Sequence, residues 1–262
     1  MLPIFDSLTH PTLTGAWFTE DIDASMETLS QVTRNNDIYG FCAVGLPDFS
    51  GYDHNLFFDM VSSHKKCFPV AGFNPYRVTD IAEQLMYIKA LGYKAIKLHP
   101  RLGGYYLDAN DLILNACFEW ASQLELVIFL CTYTSAKLES YPNKDPYWEL
   151  VKLLKRFSGV RCILLHGGVT QLMQYADLVR YNRNLLLDLS YTIIKYKHSS
   201  IDLDIQYLFL NLDQRLCIGT DHPEYTMVDL RHCLQDFEKY TPVEKLRNIY
   251  YKNLQTFLGF NV

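Results

Sequence analysis

The chain has no Lys/Arg-rich tract. Its 29 acidic and 24 basic side chains give a formal charge of −5, so a nucleic-acid partner is not favoured. No apolar stretch reaches the length of a membrane span. The opening Met1-Leu2-Pro3-Ile4-Phe5-Asp6 has neither a basic region nor a long apolar one. No membrane partner and no secretory leader are therefore expected. There is no CxxC pair. The seven cysteines are odd in number, and Cys42, Cys131, Cys162 and Cys217 lie inside apolar runs. This reads as reduced, buried thiols of a cytoplasmic protein, not as a disulfide framework. No internal repeat, low-complexity tract or linker interrupts residues 1–262, which read as one domain. No GxGxxG follows the first strand candidate; His10-Pro11-Thr12 stands there instead, which argues against an open dinucleotide-binding sheet.

Apolar residues make up 49% of the chain, enough for a substantial core. Aromatic content is 14%, with 19 tyrosines suited to lining surfaces or a pocket. Short apolar runs recur at Ile4–Leu8, Tyr39–Gly45, Cys67–Phe73, Ala95–His99, Leu126–Thr132, Arg161–His166, Leu185–Ser190 and Leu216–Thr220. Helical periodicity lies between many of them, at Ile81–Leu91, Leu112–Leu124, Trp148–Phe157, Ser199–Leu212 and Met227–Phe237. A last amphipathic stretch, Pro242–Leu258, ends on the C-cap candidate Gly259. Eight strand units alternating with helices predict an α/β fold with a parallel eight-stranded sheet. At 262 residues, closure into a (β/α)8 TIM barrel is the expected outcome. Tyr105–Asp108 and Tyr141–Tyr147 read as longer loops on the active-site side.

Several strand candidates end on a titratable residue. Ile4–Thr9 runs into His10, Ala95–Leu98 into His99, Val160–Leu165 into His166, and Leu216–Thr220 into Asp221. Active sites of such barrels are built at the C-terminal ends of the strands. Convergent polar groups at several strand ends are hard to obtain from core packing alone.

The ordered set of strand ends resembles the amidohydrolase superfamily, in particular the amidohydrolase-2 group of metal-dependent TIM-barrel hydrolases and decarboxylases. Phe5-Asp6-Ser7-Leu8-Thr9-His10 looks like its opening D-x-H-x-H, and Ala95-Ile96-Lys97-Leu98-His99-Pro100 like its fourth-strand IKLHP. Ile163-Leu164-Leu165-His166-Gly167-Gly168 is similar to its sixth-strand H-x-G, and Ile218-Gly219-Thr220-Asp221-His222-Pro223 to its eighth-strand G-[ST]-D-x-P. Leu185–Ser190 matches its seventh strand, and Tyr251-Lys252-Asn253-Leu254 with Phe257-Leu258-Gly259 its final helix. The departures are Leu8, where the family has the first histidine, and Cys131, where the fifth strand carries a metal-binding one.

The resemblance implies hydrolysis of a small carboxylate-bearing metabolite, a lactone or cyclic ester or amide, with Asp221 as general base. His166 and His10 join Asp221 as catalytic candidates, and His99, Arg101, Lys97 and His222 are the substrate-binding candidates. An altered metal site would use His10, Cys131, Asp221 and His166, with one divalent ion, zinc first. The same residues also allow a metal-free reading, in which Asp221 activates water and Arg101 forks a carboxylate. Metal-independent lactonases of the superfamily support that reading. A covalent route through Cys131, with His10 or His166 as base, is a further alternative. The runner-up activity is a metal-dependent decarboxylase, and the non-enzyme alternative is a barrel keeping only a small-molecule pocket. Relatives suggest a homodimer.

Structural roles compete for these residues. Cys131 also reads as a small core residue, and Asp6 as a structural acceptor. Asp188 and Ser190 read equally as pocket wall or barrel packing. His54, His64, His198 and His232 are expected at the surface. An inward Lys97 at a strand end reads as functional, because unpaired buried lysine is rare.

Overall fold

The computed structural model describes residues 2–35, 38–49, 51–134 and 143–260. Eight parallel strands pair in sequence order: β1 (Ile4–Thr9), β2 (Ile38–Val44), β3 (Cys67–Phe73), β4 (Ala95–Leu98), β5 (Val127–Cys131), β6 (Cys162–Leu165), β7 (Leu185–Asp188) and β8 (Leu216–Cys217). Each falls on one of the apolar runs. The expected helices appear at Ile81–Leu91, Leu112–Gln123, Pro146–Arg156, Ser200–Asn211 and Met227–Glu238. Asp80, Asp111, Asp145 and Ser199 accept from first-turn amides of the first four, and Thr226 with Asp229 forms a capping box on the fifth. Each such cap contributes about 1 kcal/mol.

The structure differs from the sequence expectation at three places. Helices at Met26–Asn35, His54–Ser62 and Leu172–Arg180 are also present. In the first of these, Met26, Leu29 and Val32 share one face, but they are few among polar residues. The terminal stretch is three successive segments, Val243–Arg247, Asn248–Lys252 and Asn253–Leu258, the middle one a π-turn. The expected loop at Tyr141–Tyr147 is shorter, because a helix already starts at Pro146; its Tyr141 and Pro142 lie outside the described residues.

The strands alternate between two apolar layers. One layer faces the surrounding helices and includes Ile96, Leu98, Ile128, Leu130, Leu164 and Leu187. The other fills the barrel interior with Phe5, Leu8, Val44, Phe129, Leu165 and Leu186. Leu254, Phe257 and Leu258 join the interior layer, so the last helix closes the bottom of the barrel. Among the described residues, no helix is long and apolar enough to cross a membrane.

The barrel closes along a seam between β8 and β1. Ser7 N donates to Ile218 O at 3.0 Å, Asp221 N to Leu8 O at 3.0 Å and His10 N to His222 O at 2.7 Å. Asp6 accepts from Thr220 N at 2.9 Å and Thr220 Oγ1 at 2.7 Å, the structural role expected of it. The seam is so tight that a Cβ at Gly219 would stand 2.5 Å from Ser7 Oγ and 2.7 Å from Asp6 Oδ1. Any side chain there would push β1 away.

Candidate active site at the mouth of the barrel

A bulge in β1 aims its histidine. Asp6 pairs with Phe41 and Thr9 with Ala43, so three steps in β1 match two in β2. Side chains alternate with period two, so one extra residue inverts the faces. Phe5 and Leu8 consequently both point inward, and His10, two residues beyond Leu8, opens on the mouth. Its Nδ1 donates to Val44 O at 2.8 Å. Nε2 then faces Asp221 Oδ1 at 3.4 Å. Asp221 has φ 61, a conformation uncommon for a residue with a side chain and often found where function demands it. Burial alone would raise its pKa. The hydrogen bond from His10, with the charges of His166, His10 and Lys97, outweighs burial and holds the carboxyl well below the usual range.

The other strand ends assemble a second group. Leu98 pairs with Leu130, and Cys131 with Leu165. The next step on the flanking strands therefore sets His99 and His166 on either side of Cys131. Both imidazoles act electrostatically on its thiol. The two imidazoles are fixed in opposite tautomers. His99 Nδ1 accepts from Leu102 N at 3.3 Å, so its proton sits on Nε2. His166 Nδ1 donates to Ser190 O at 3.2 Å, so its free lone pair is on Nε2. His166 also has a left-handed backbone, φ 63, and its N–H donates to Asp188 Oδ1 at 3.2 Å. Asp188 is fully buried and also receives the Ser7 and Ser190 hydroxyls, so it braces β1, β6 and β7 from inside. Burial pushes its pKa up.

Charge follows from these contacts. Burial raises the Cys131 thiol, but His99 and His166 outweigh it and bring it well below the ordinary cysteine value. Burial lowers His166, yet the Cys131 contacts turn the net shift upward. For His99 burial wins and the net shift is downward. Lys97 is fully buried, and burial lowers its pKa. Its Nζ has no hydrogen-bond partner among the described residues.

A cavity of about 360 Å³ lies over this mouth, lined among others by His10, Trp17, His99, Arg101, His166 and Asp221. That volume suits a small metabolite. A smaller cavity of about 160 Å³ adjoins it and is lined by Cys131, Thr132 and Tyr105. Arg101 and Tyr133 line both. The structure thus brings together His10, His99, Arg101, His166 and Asp221 in one cavity, with Cys131 reached from its neighbour. Lys97 lies beneath them. His222 is buried outside the cavity lining, and burial pushes its pKa down to about 4. His198 and His232 are exposed as expected, while His54 and His64 are half-buried.

Sequence reasoning missed Trp17, Glu224, Tyr133 and Tyr191. Trp17 stacks on His10 with centroids 5.9 Å apart, and its Nε1 donates to Glu224 Oε1 at 2.9 Å. Tyr133 and Tyr191 line the same cavity. Three of the four lie within a few residues of a strand-end candidate; proximity to Cys131, Ser190 and Asp221 was the available signal.

The expected metal donors fall into two pairs, His10 with Asp221 and Cys131 with His166. Among the described residues, no group of three or more His, Cys, Asp or Glu side chains is arranged to hold a metal ion. Leu8, where the resembled family has a ligand, is fully buried in the interior apolar layer. The donor set among the described residues does not fit a metal.

No family model matches the chain, and no curated protein matches it in sequence. Solved structures match its fold over nearly the whole length. An uncharacterized TIM-barrel protein from Bordetella bronchiseptica aligns with a TM-score of 0.76 and 16% identity, covering 98% of this chain and 99% of the other. A probable 2-pyrone-4,6-dicarboxylic acid hydrolase from Acinetobacter baumannii, with citric acid bound, gives 0.72 and 14%, covering 99% and 100%. An amidohydrolase from Burkholderia multivorans with bound zinc gives 0.72 and 12%, with the same coverage. The chain therefore has the TIM-barrel fold.

Proposed function

We propose that the chain is an amidohydrolase-type hydrolase that opens a small carboxylate-bearing lactone or cyclic ester. The observation that carries this reading is the convergence of Asp221, His10, His99, Arg101 and His166 on one cavity at the C-terminal mouth. Arg101 is the carboxylate receptor, because its guanidinium offers a bidentate fork. Asp221 is the base for water. Its carboxyl is ionised throughout the working pH range, and His10 holds it in place from the far side. An activated ester suits this site better than an amide, because its carbonyl needs less electrophilic help. The fold shared with a probable 2-pyrone-4,6-dicarboxylic acid hydrolase is consistent with the same class.

The reading is tested by acid release in a pH-stat. The probes are 2-pyrone-4,6-dicarboxylate, paraconate (a lactone bearing one carboxylate) and paraconate methyl ester. The expected result is hydrolysis of a carboxylate-bearing probe, with the methyl ester at least about tenfold slower through loss of the charged hydrogen bonds to Arg101. Equal rates for acid and ester would remove Arg101 from substrate recognition. No release from any of the probes contradicts the hydrolytic reading.

A further inference from the structure

We propose that Cys131 is the nucleophile of this site and that hydrolysis passes through a thioester on its Sγ. The proposal rests on the hydrolytic reading above and names the attacking atom. Three observations carry it. Cys131 ends β5, and the strands on either side of it run into His99 and His166 at the neighbouring register positions. Those imidazoles are not equivalent. His166 Nε2 is the lone pair that takes a thiol proton, because Nδ1 is committed to the Ser190 carbonyl. His99 Nε2 is the N–H that steadies the sulfur, because its Nδ1 is committed to the Leu102 amide. A base oriented by a third group beside a thiol is the arrangement of an activated nucleophile. Finally, Lys97 rises from the interior layer just below with a wholly buried amine that lacks a hydrogen-bond partner among the described residues. It acts electrostatically on both Cys131 and Asp221.

The chemistry balances. The thiol proton passes to His166, and sulfur attacks the lactone carbonyl. The C–S bond forms, the ring C–O bond breaks, and the leaving alkoxide takes the proton back from His166. Water then attacks the thioester and loses a proton to Asp221. The new C–O bond forms, the C–S bond breaks, and thiolate departs. The proton on Asp221 leaves through solvent, His166 regains one, and the product is the open hydroxy acid. Cys131 is reached through the cavity of about 160 Å³ that shares Arg101 and Tyr133 with the larger one. A carboxylate held by Arg101 is thereby placed beside the sulfur.

The first test needs no substrate. The intact protein is treated with iodoacetate or iodoacetamide, and all seven cysteines are mapped by peptide mass. All seven are free and buried, so six serve as internal controls. Cys131 is expected to be modified at least about tenfold faster than the others, because a thiol beside a basic imidazole is the reactive form. Iodoacetate should outpace iodoacetamide at Cys131, and Arg101→Gln should remove that preference. Modification of Cys131 no faster than the other six overturns the proposal. The second test incubates Asp221→Asn protein with paraconate, quenches in acid and measures intact mass. An adduct of one whole substrate on Cys131 is expected, because acylation proceeds and deacylation stalls. Hydrolysis at the wild-type rate by Cys131→Ala overturns the proposal in favour of direct attack by water. If wild-type protein opens none of the lactones while Cys131 still labels selectively, the hydrolytic reading fails and the nucleophile stands.

Discussion

The Arg101 guanidinium lies over the ring of Tyr133, 4.8 Å from its centroid. Arg101 is otherwise exposed, so the ring gives a long, mobile side chain a defined resting place at the border of both cavities. A guanidinium held on an aromatic face keeps its edge free for a carboxylate.

Arg101→Gln should therefore act on binding more than on chemistry. The expected result is a KM raised by about ten- to a hundredfold, the scale of about 1.5–3 kcal/mol for a charge-assisted hydrogen bond, with kcat changed much less. A kcat that falls as far as kcat/KM would place Arg101 in the chemical step instead. Steady-state kinetics on a carboxylate-bearing lactone separates the two.

Gly219→Ala should open the seam. Its Cβ would meet Ser7 Oγ and Asp6 Oδ1 well inside contact distance. Overpacking of this kind costs about 1–3 kcal/mol. Because the displaced backbone carries both His10 and Asp221, activity should fall further than stability explains. Urea unfolding and turnover measured on the same preparation test this; a stable, fully active variant would show that the seam yields without disturbing the pair.

Asp6 predicts a pH dependence of stability. Burial raises its folded pKa to about 7, partly offset by the hydrogen bonds from Thr220 and Leu8. The unfolded carboxyl titrates near 3.8. Between these values the folded state binds more protons than the unfolded one. The contribution is complete below about pH 4 and is lost as pH rises through about 7. Asp6→Asn lacks this titration. Wild type should lose a few kcal/mol relative to the variant over that window, because each tenfold change in proton affinity is worth about 1.4 kcal/mol. Parallel pH profiles from urea unfolding would contradict the assignment.

Zinc should not stabilise the protein through these residues. A ligand that binds only the folded state raises the melting temperature with its concentration, but among the described residues the expected donors form pairs, His10 with Asp221 and Cys131 with His166, where a zinc site needs three or four. The melting temperature of wild type with added zinc should follow that of Asp221→Asn. A concentration-dependent rise present in wild type and absent in Asp221→Asn would show that the donors regroup around an ion.

The fold and half of the site were legible in the sequence for a shared reason. Strand ends are written as apolar runs that stop on a polar residue, so His10, His99, His166 and Asp221 could be placed at one mouth. What could not be read is what depends on rotation about a strand or on neighbours distant in sequence. The β1 bulge, which turns both Leu8 and His10 inward, cannot be placed from Ile4–Thr9 alone, because its apolar residues do not alternate. The state of Cys131 depends on His99 and His166, and their tautomers depend on the Leu102 amide and the Ser190 carbonyl. Read alone, Cys131 is one more thiol in an apolar run. Trp17 and Glu224 escaped because their link spans nearly the whole chain and follows no periodicity.

The most direct measurement is acid release from a carboxylate-bearing lactone by wild type and by Asp221→Asn, side by side, with circular dichroism of both. The account predicts turnover by wild type and a loss of at least about a hundredfold in the variant, the scale of a general base, with the fold unchanged. Turnover by Asp221→Asn at the wild-type rate, or no acid release by wild type from any of the lactones, would contradict it.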